Sequence, residues 1–263
     1  MVLAGCGQGV EPTANTLTSG NERIVSIDYC ADQMVLGLVE RDRIVAVSND
    51  VEADPLFAGR LAGDLPRVRP DAETIIALRP SLVVRSYAGG PRLEATLRRA
   101  GVRVFTLPYA GGMEAVRAGV IMSGRVLGAE AAAAQRLARL DSVLAASKPA
   151  GVRALYTTPG SYTAGPDTLV GDVIERAGFT NAEQRLGWRR LDIEGLVLSP
   201  PQIVIRAFGE SRLHQTDRWS SADHSALQSA FAESRVVPIP GSWVACSNWR
   251  IGEAVATLRA TRR

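Results

Sequence analysis

The sequence predicts an α/β protein of two lobes with mainly parallel sheets, joined by one long helix, with a ligand cleft between the lobes. Three observations predict it. Arg23-Ile24-Val25-Ser26-Ile27-Asp28 is a short β-type run that passes through Tyr29 and Cys30 into the helical pattern of Ala31–Glu40. Val152-Arg153-Ala154-Leu155-Tyr156-Thr157 repeats that plan half a chain later, reaching a helix near Leu169–Ala177 through Pro159-Gly160-Ser161-Tyr162. Between them Met113–Ser147 is Ala-rich and helical in pattern, with no strand signal.

The first lobe, residues 22–112, reads as alternating strands and helices. Arg23–Asp28 is a strand, Ala31–Val39 a helix and Arg43–Ser48 a second strand. Asn49–Arg69 carries Pro, Gly and Asp and reads as a long loop. Asp71–Leu78 follows Pro70 and has acidic residues at its start, both helix-start signals. Leu82–Arg85 is a strand after Arg79-Pro80. Pro91–Ala100 is a helix stopped by Gly101, and Arg103–Leu107 is a strand. Alternation at this spacing implies a mainly parallel sheet covered on both faces.

Residues 113–148 read as the connector, and Pro149 stops it. An unbroken helix of ~35 residues would be ~50 Å long. Gly119, Gly124 and Gly128 weaken that expectation, each by roughly 1 kcal/mol relative to Ala. The second lobe, residues 149–263, has strands at Val152–Thr157, Gln202–Ala207 and Arg235–Ile239. Its helices lie near Leu169–Ala177, Asp192–Leu198, His224–Glu233 and Trp249–Arg259. Glu73–Val84 and Glu194–Ile205 both read helix, proline break, apolar strand, as an internal duplication would.

Composition excludes several classes of function. Of 263 residues, 46% are hydrophobic and 22% charged, as in ordinary globular proteins. No apolar run approaches the ~20 residues that span a bilayer. The net charge is +3, and Lys148 is the sole lysine, so almost every cation is an arginine. These arginines are spread along the chain, which argues against a nucleic-acid groove.

Residues 1–21 read as an export and tether segment. Leu3-Ala4-Gly5-Cys6 fits a lipobox, in which the cysteine receives lipid, and Gly7–Asn21 has linker composition. The protein is therefore expected in the periplasm, touching the membrane through a lipid on Cys6. The alternative is an unstructured start with one free cysteine. Cys30 and Cys246 can pair in an oxidising compartment, or stay as two small buried cysteines.

The aromatic residues follow predicted strands. Tyr29, Tyr87 and Tyr109 do so in the first lobe. In the second, Tyr162, Trp188, Trp219, Trp243 and Trp249 fall in or beside loops. Ligands of open α/β sheets bind outside the carboxyl ends of the strands. As a set these rings suit a flat or bulky apolar ligand, although any one of them can equally be packing. Arg85, Arg189, Arg190, Arg206 and Arg250 lie near them and can pair with ligand carboxylates. No GxSxG, GxxxxGK[ST] or HExxH motif is present, so no catalytic residue is expected and the protein does not read as an enzyme. His214 and His224 are its two histidines and fall in one lobe, too few for a metal site bridging two. No cofactor is expected.

Arg23–Ser48, Glu73–Val84 with the following Arg85-Ser86-Tyr87-Ala88-Gly89-Gly90, and Gly187–Ile205 resemble the cobalamin/ferric-siderophore type (class III) of periplasmic binding protein. The resemblance spans roughly residues 22–205. It implies two Rossmann-like lobes, a single connecting helix, limited hinge motion and a small-molecule metal chelate held between aromatic side chains. The chelate would be cobalamin, a ferric siderophore or haem. The partners implied are the permease and ATPase of an ABC importer. Tyr87 and Trp188 match cleft aromatics of the cobalamin binders, with Tyr29 a third. With Arg189, Arg206, Trp243, Trp249 and Arg250 they form the expected ligand-binding set. Glu194 falls at the spacing of the family's permease-docking glutamate; Glu94 is displaced by one residue from the other. Nothing demands more than a monomer. An exported sensor or scaffold of the same fold, or a two-lobed Rossmann-like enzyme, are the alternatives.

Overall fold

The computed structural model describes residues 22–145, 151–208 and 225–262. Cys6 with its lipobox, Trp219, His214, His224 and the end of the connector lie outside them. The first lobe contains β1 (Ile24–Ser26), α1 (Tyr29–Leu38), β2 (Ile44–Ser48), α2 (Arg60–Ala62), β3 (Arg67–Val68), α3 (Ala72–Ala77), β4 (Leu82–Arg85), α4 (Gly90–Arg99) and β5 (Arg103–Thr106). Its strands are all parallel, in the order β3-β2-β1-β4-β5. Side chains alternate between faces, as the two-residue period of a strand requires. Val25 and Val83 pack with Leu93 and Leu97 on one face; Ile24, Leu82 and Val84 join a larger cluster on the other.

Local chemistry explains the element ends. The Asp28 carboxylate caps α1 by accepting from the Ala31 amide at 3.0 Å, and Asp71 caps α3 through the Thr74 amide at 2.8 Å. The turn into α4 needs left-handed backbone at Gly89 and Gly90 (φ +82° and +60°), which glycine adopts without strain. Arg85 braces this turn, donating to the Gly90 carbonyl at 2.9 Å rather than facing a ligand. The stretch expected as a loop, Asn49–Arg69, contains three short helical turns and the edge strand β3, which pairs with β2.

The single connecting helix is not what forms. Residues 113–144 make two helices, α5 (Met113–Leu127) and α6 (Glu130–Leu144), packed as a hairpin. Gly128 ends α5 with φ +59°, a left-handed cap that cannot continue an α-helix. Gly124 lets the two helices touch, because a Cβ there would lie 2.7 Å from the Ala133 Cβ. The glycines that weakened the prediction are thus the break and the contact.

The second lobe contains β6 (Arg153–Thr157), β7 (Tyr162–Ala164), α7 (Leu169–Arg176), β8 (Thr180–Asn181), β9 (Trp188–Arg190), α8 (Ile193–Leu198), β10 (Ile203–Ala207), α9 (Ser225–Ala230), β11 (Arg235–Ile239), α10 (Ser242–Ala245) and α11 (Ile251–Ala260). Four strands form a parallel sheet, β11-β10-β6-β8, while β7 and β9 pair antiparallel as a separate ribbon. β7, β8 and β9 are two or three residues long and give no periodic signal.

One apolar cluster runs through both lobes. Ile24 and Leu82 of the first sheet, Val116, Val120 and Leu137 of the hairpin, and Ile203, Ile205, Ile251 and Val255 of the second lobe all belong to it. The hairpin also reaches the first lobe and the last helix through Arg136. This side chain donates to the Gly37 carbonyl at 3.1–3.2 Å and lies 5.5 Å over the Trp249 ring. The lobes therefore meet in a continuous hydrophobic interior.

Candidate functional site

The site begins where the chain reverses its direction of travel across each sheet. In the first sheet β1 is followed by β2 and β3 on one side and by β4 and β5 on the other. The crevice at such a switch point lies outside the carboxyl ends of the strands. Tyr29 and Cys30 leave β1 there, Ser86 and Tyr87 leave β4, and Leu107, Pro108 and Tyr109 leave β5. From the second lobe come Phe208, directly after β10, and Ser242–Asn248, after β11.

These segments enclose a cavity of about 460 Å³. Tyr29, Tyr87, Tyr109 and Phe208 supply rings, with Met34, Leu107 and Pro108 as further apolar wall. Ser86, Ser242, Ser247 and Asn248 supply hydroxyl and amide groups. No charged side chain lines it among the described residues. Tyr87 is 60% exposed and Tyr109 80% exposed, so both rings are accessible. Gly241 makes room for the Phe208 ring, since a Cβ at that position would lie 2.0 Å from it.

Two aspartates are buried behind the tyrosines. Asp28 follows β1 and binds both the start of α1 and the loop that carries Tyr87. Asp32 lies in α1 and accepts from the Ser26 hydroxyl, from the Ser48 amide at 2.9 Å and from the Ser48 hydroxyl at 2.5 Å. Burial pushes the Asp32 carboxyl up to about 6, with the neighbouring Asp28 adding to the rise and the three hydrogen bonds opposing it. Partial burial, with the charges of Asp28, Asp50 and Asp32, pushes the Tyr87 phenol up to about 12, so Tyr87 carries its proton at neutral pH.

The Asp32 shift predicts a pH dependence. Its unfolded value is 3.8, so between about pH 4 and 6 the folded state holds a proton that the unfolded state has lost. The stability it contributes is complete below about pH 4 and disappears as pH rises through 6. Asp32→Asn, which cannot ionise, should gain on the order of 3 kcal/mol relative to wild type between pH 4 and 7. Urea unfolding of both proteins at pH 4, 5.5 and 7 measures this; a pH-independent difference refutes it.

The wall of the cavity is also the seam between the lobes. Cys30 and Cys246 are joined by a disulfide there in the structure. Asn248 donates to the Gln33 side chain at 2.8 Å, and Gln33 donates to the Ser242 carbonyl at 3.2 Å. Arg250 makes a buried ion pair with Asp54 and stacks 4.4 Å from the Phe57 ring centre. Burial pulls the Arg250 guanidinium down and the Asp54 carboxylate opposes the shift.

The expected ligand set divides on this geometry. Tyr29 and Tyr87 line the cavity. Trp249 does not: it is buried in the shared core and its indole lies against Gly37, where a Cβ would come within 2.4 Å. Arg250 is committed to Asp54. Trp243 is half-buried and packs against the core. Arg206 points to solvent from β10, and Arg189 on β9 donates to the Leu186 carbonyl at 2.9 and 3.2 Å. Trp188 lies on the β7–β9 ribbon, edge-on to Tyr156 at 5.9 Å, outside the cavity lining. Tyr109, named among the strand-following rings but left out of the expected ligand set, lines the cavity, as does Phe208, which the sequence reading did not name. Phe208 directly follows β10 and Tyr109 lies three residues after β5, so the rule that selected Tyr29 and Tyr87 points to them as well. Glu94 and Glu194 are surface carboxylates of α4 and α8. Glu94 is paired with Arg98 at 2.8 Å and approaches Arg85 at 3.8 Å, whereas Glu194 is exposed.

The periplasmic binding protein family matches residues 24–240. The chain belongs to that family. A cobalamin-binding protein from Halobacterium salinarum is 29% identical over 261 residues, covering 94% of this chain and 70% of the relative. The haem-binding protein BhuT, solved with two haems, superposes with a TM-score of 0.70 at 26% identity, covering 92% of this chain and 97% of that one. HutB of Vibrio cholerae, a periplasmic haem-binding protein, shares the fold with a TM-score of 0.73 at 18% identity, covering 92% and 98%. These are two-lobed proteins, and the two lobes of this binding protein match them. Its relatives are binding proteins rather than enzymes. No helix among the described residues is long and apolar enough to cross a membrane.

Proposed function

We propose that this chain is the substrate-binding component of an ABC importer and that its ligand is a metal-bearing tetrapyrrole, a corrinoid or a haem. The observation that carries the reading is the lining: four aromatic rings from the carboxyl ends of strands in both sheets, with hydroxyls and amides but no charge among the described residues. Flat macrocycles bury large apolar faces against rings, and a few polar groups orient their edges. An anionic siderophore held by arginines is less well served, because Arg189, Arg206 and Arg250 are engaged or placed elsewhere. The relatives named for cobalamin and haem support the same choice.

Membership of the family supports delivery to a permease. Glu194, exposed in the first turn of α8, is the stronger docking candidate; Glu94 would have to exchange Arg98 for a permease arginine. Cys6 is proposed as the lipid site that keeps the protein near the membrane. Titration with cyanocobalamin and with haemin, followed by aromatic fluorescence and chromophore absorbance, tests the ligand. Saturable binding of one of them is expected. Binding of ferric enterobactin but neither macrocycle overturns the tetrapyrrole assignment. In cells, Glu194→Arg should stop uptake without weakening chelate binding; undiminished uptake removes Glu194 from the docking surface.

A further inference from the structure

Asp28 is fully buried, and its two carboxylate oxygens accept five hydrogen bonds. One oxygen takes the Ala31 amide at 3.0 Å and the Ser86 hydroxyl at 2.6 Å. The other takes three consecutive amides of the loop after β4: Ser86 at 2.6 Å, Tyr87 at 3.2 Å and Ala88 at 3.3 Å. The Ala31 bond fixes the first turn of α1, which begins with Tyr29. The three amide bonds fix the loop that presents Tyr87. One carboxylate therefore ties together the two chain segments that carry cavity tyrosines from adjacent strands.

We propose that Asp28 is a positioning residue for the ligand: it does not line the cavity, but it sets the spacing and orientation of the Tyr29 and Tyr87 rings on either side of the crevice. Beyond this carboxylate the loop is held at its far end by Arg85 on the Gly90 carbonyl and by Ala88 against the core, which leaves the Tyr87 backbone to Asp28. Tyr87 is mostly exposed, and the left-handed pair Gly89-Gly90 follows directly. Three adjacent amides converging on one anion form a small nest of the kind that usually holds an anionic ligand. Here the protein fills it with its own carboxylate, and the loop is ordered before any ligand arrives. Pre-ordering lowers the entropy lost when the ring is immobilised on the ligand.

This inference rests on the tetrapyrrole reading for its affinity arm and is independent of it for the rest. In the free protein, Asp28→Ala should speed hydrogen exchange of the Ser86, Tyr87 and Ala88 amides while leaving α11 amides protected. Unchanged exchange at the loop overturns the inference. With cyanocobalamin or haemin, whichever the wild type binds, Asp28→Ala should weaken binding about tenfold or more, and Asp28→Asn less. The asparagine keeps one carbonyl oxygen that can still accept the three loop amides. In a background that lacks both rings, Tyr29→Ala with Tyr87→Ala, Asp28→Ala should cost about twofold or less, because a residue acting through those rings has nothing left to position. Equal losses with and without the two rings mark a general structural role and overturn the proposal. If Asp28→Ala does not fold, Asp28→Asn carries the same cycle. If neither macrocycle binds the wild type, the tetrapyrrole assignment falls while loop exchange still decides the ordering role.

Discussion

Replacing Cys30 and Cys246 with alanine should lower the free energy of unfolding by about 4 kcal/mol. The disulfide closes a loop of 216 residues, for which chain entropy alone allows roughly 5 kcal/mol; measured losses commonly fall below that limit. The cost should be expressed mainly as easier unfolding, because α1 and the segment after α10 are otherwise joined by side-chain hydrogen bonds. Urea midpoints of wild type and the double variant measure it. A difference under about 1 kcal/mol would show that the noncovalent seam restrains the lobes as well as the bond does. The variant should widen the cavity where the two sulfurs lined it, while the shared apolar core is untouched.

Arg250→Ala should be nearly as damaging, at about 4 kcal/mol. Asp54 is 3% exposed and would be left buried with its charge facing no guanidinium; its Ser242 contact at 3.3 Å is a poor replacement. The variant also removes the plane stacked on Phe57. The control is the double variant Arg250→Met with Asp54→Leu, which removes both charges and keeps the volume. It should recover most of the loss, as replacement of a buried ion pair by apolar side chains often does. If Arg250→Ala is instead mild, water reaches Asp54 and the seam is wetter than its burial indicates. Chemical unfolding of the three variants separates these outcomes.

The two parallel sheets were legible because their central strands are mostly apolar runs with clear stops. Ile24–Ile27 ends at Asp28, which caps the next helix, and Leu82–Val84 ends at Arg85, which braces the next turn. The connector was misread because alanine-rich composition dominates a propensity sum, whereas a single left-handed Gly128 decides the geometry. The β7–β9 ribbon was invisible because Tyr162–Ala164 and Trp188–Arg190 pair by tertiary proximity rather than by any period of their own. In the site, placement at strand ends found Tyr29 and Tyr87 but could not separate cavity wall from lobe seam. Trp249 and Arg250 also sit at the start of a helix beyond the end of a strand. What removes them from the cavity is the bare backbone of Gly37 on one side and the carboxylate of Asp54 on the other, both contributed by residues about 200 positions away.

The bond from Cys30 to Cys246 sets a timetable for biogenesis. Cys30 is synthesised 216 residues before its partner. Until residue 246 is made, the Cys30 thiol lacks its partner, and α1 and α11 have not been brought into one apolar core. Maturation is therefore weighted toward the end of synthesis, as expected where decisive contacts are distant in sequence. Closure of the two lobes is thereby coupled to the redox state of one cysteine pair.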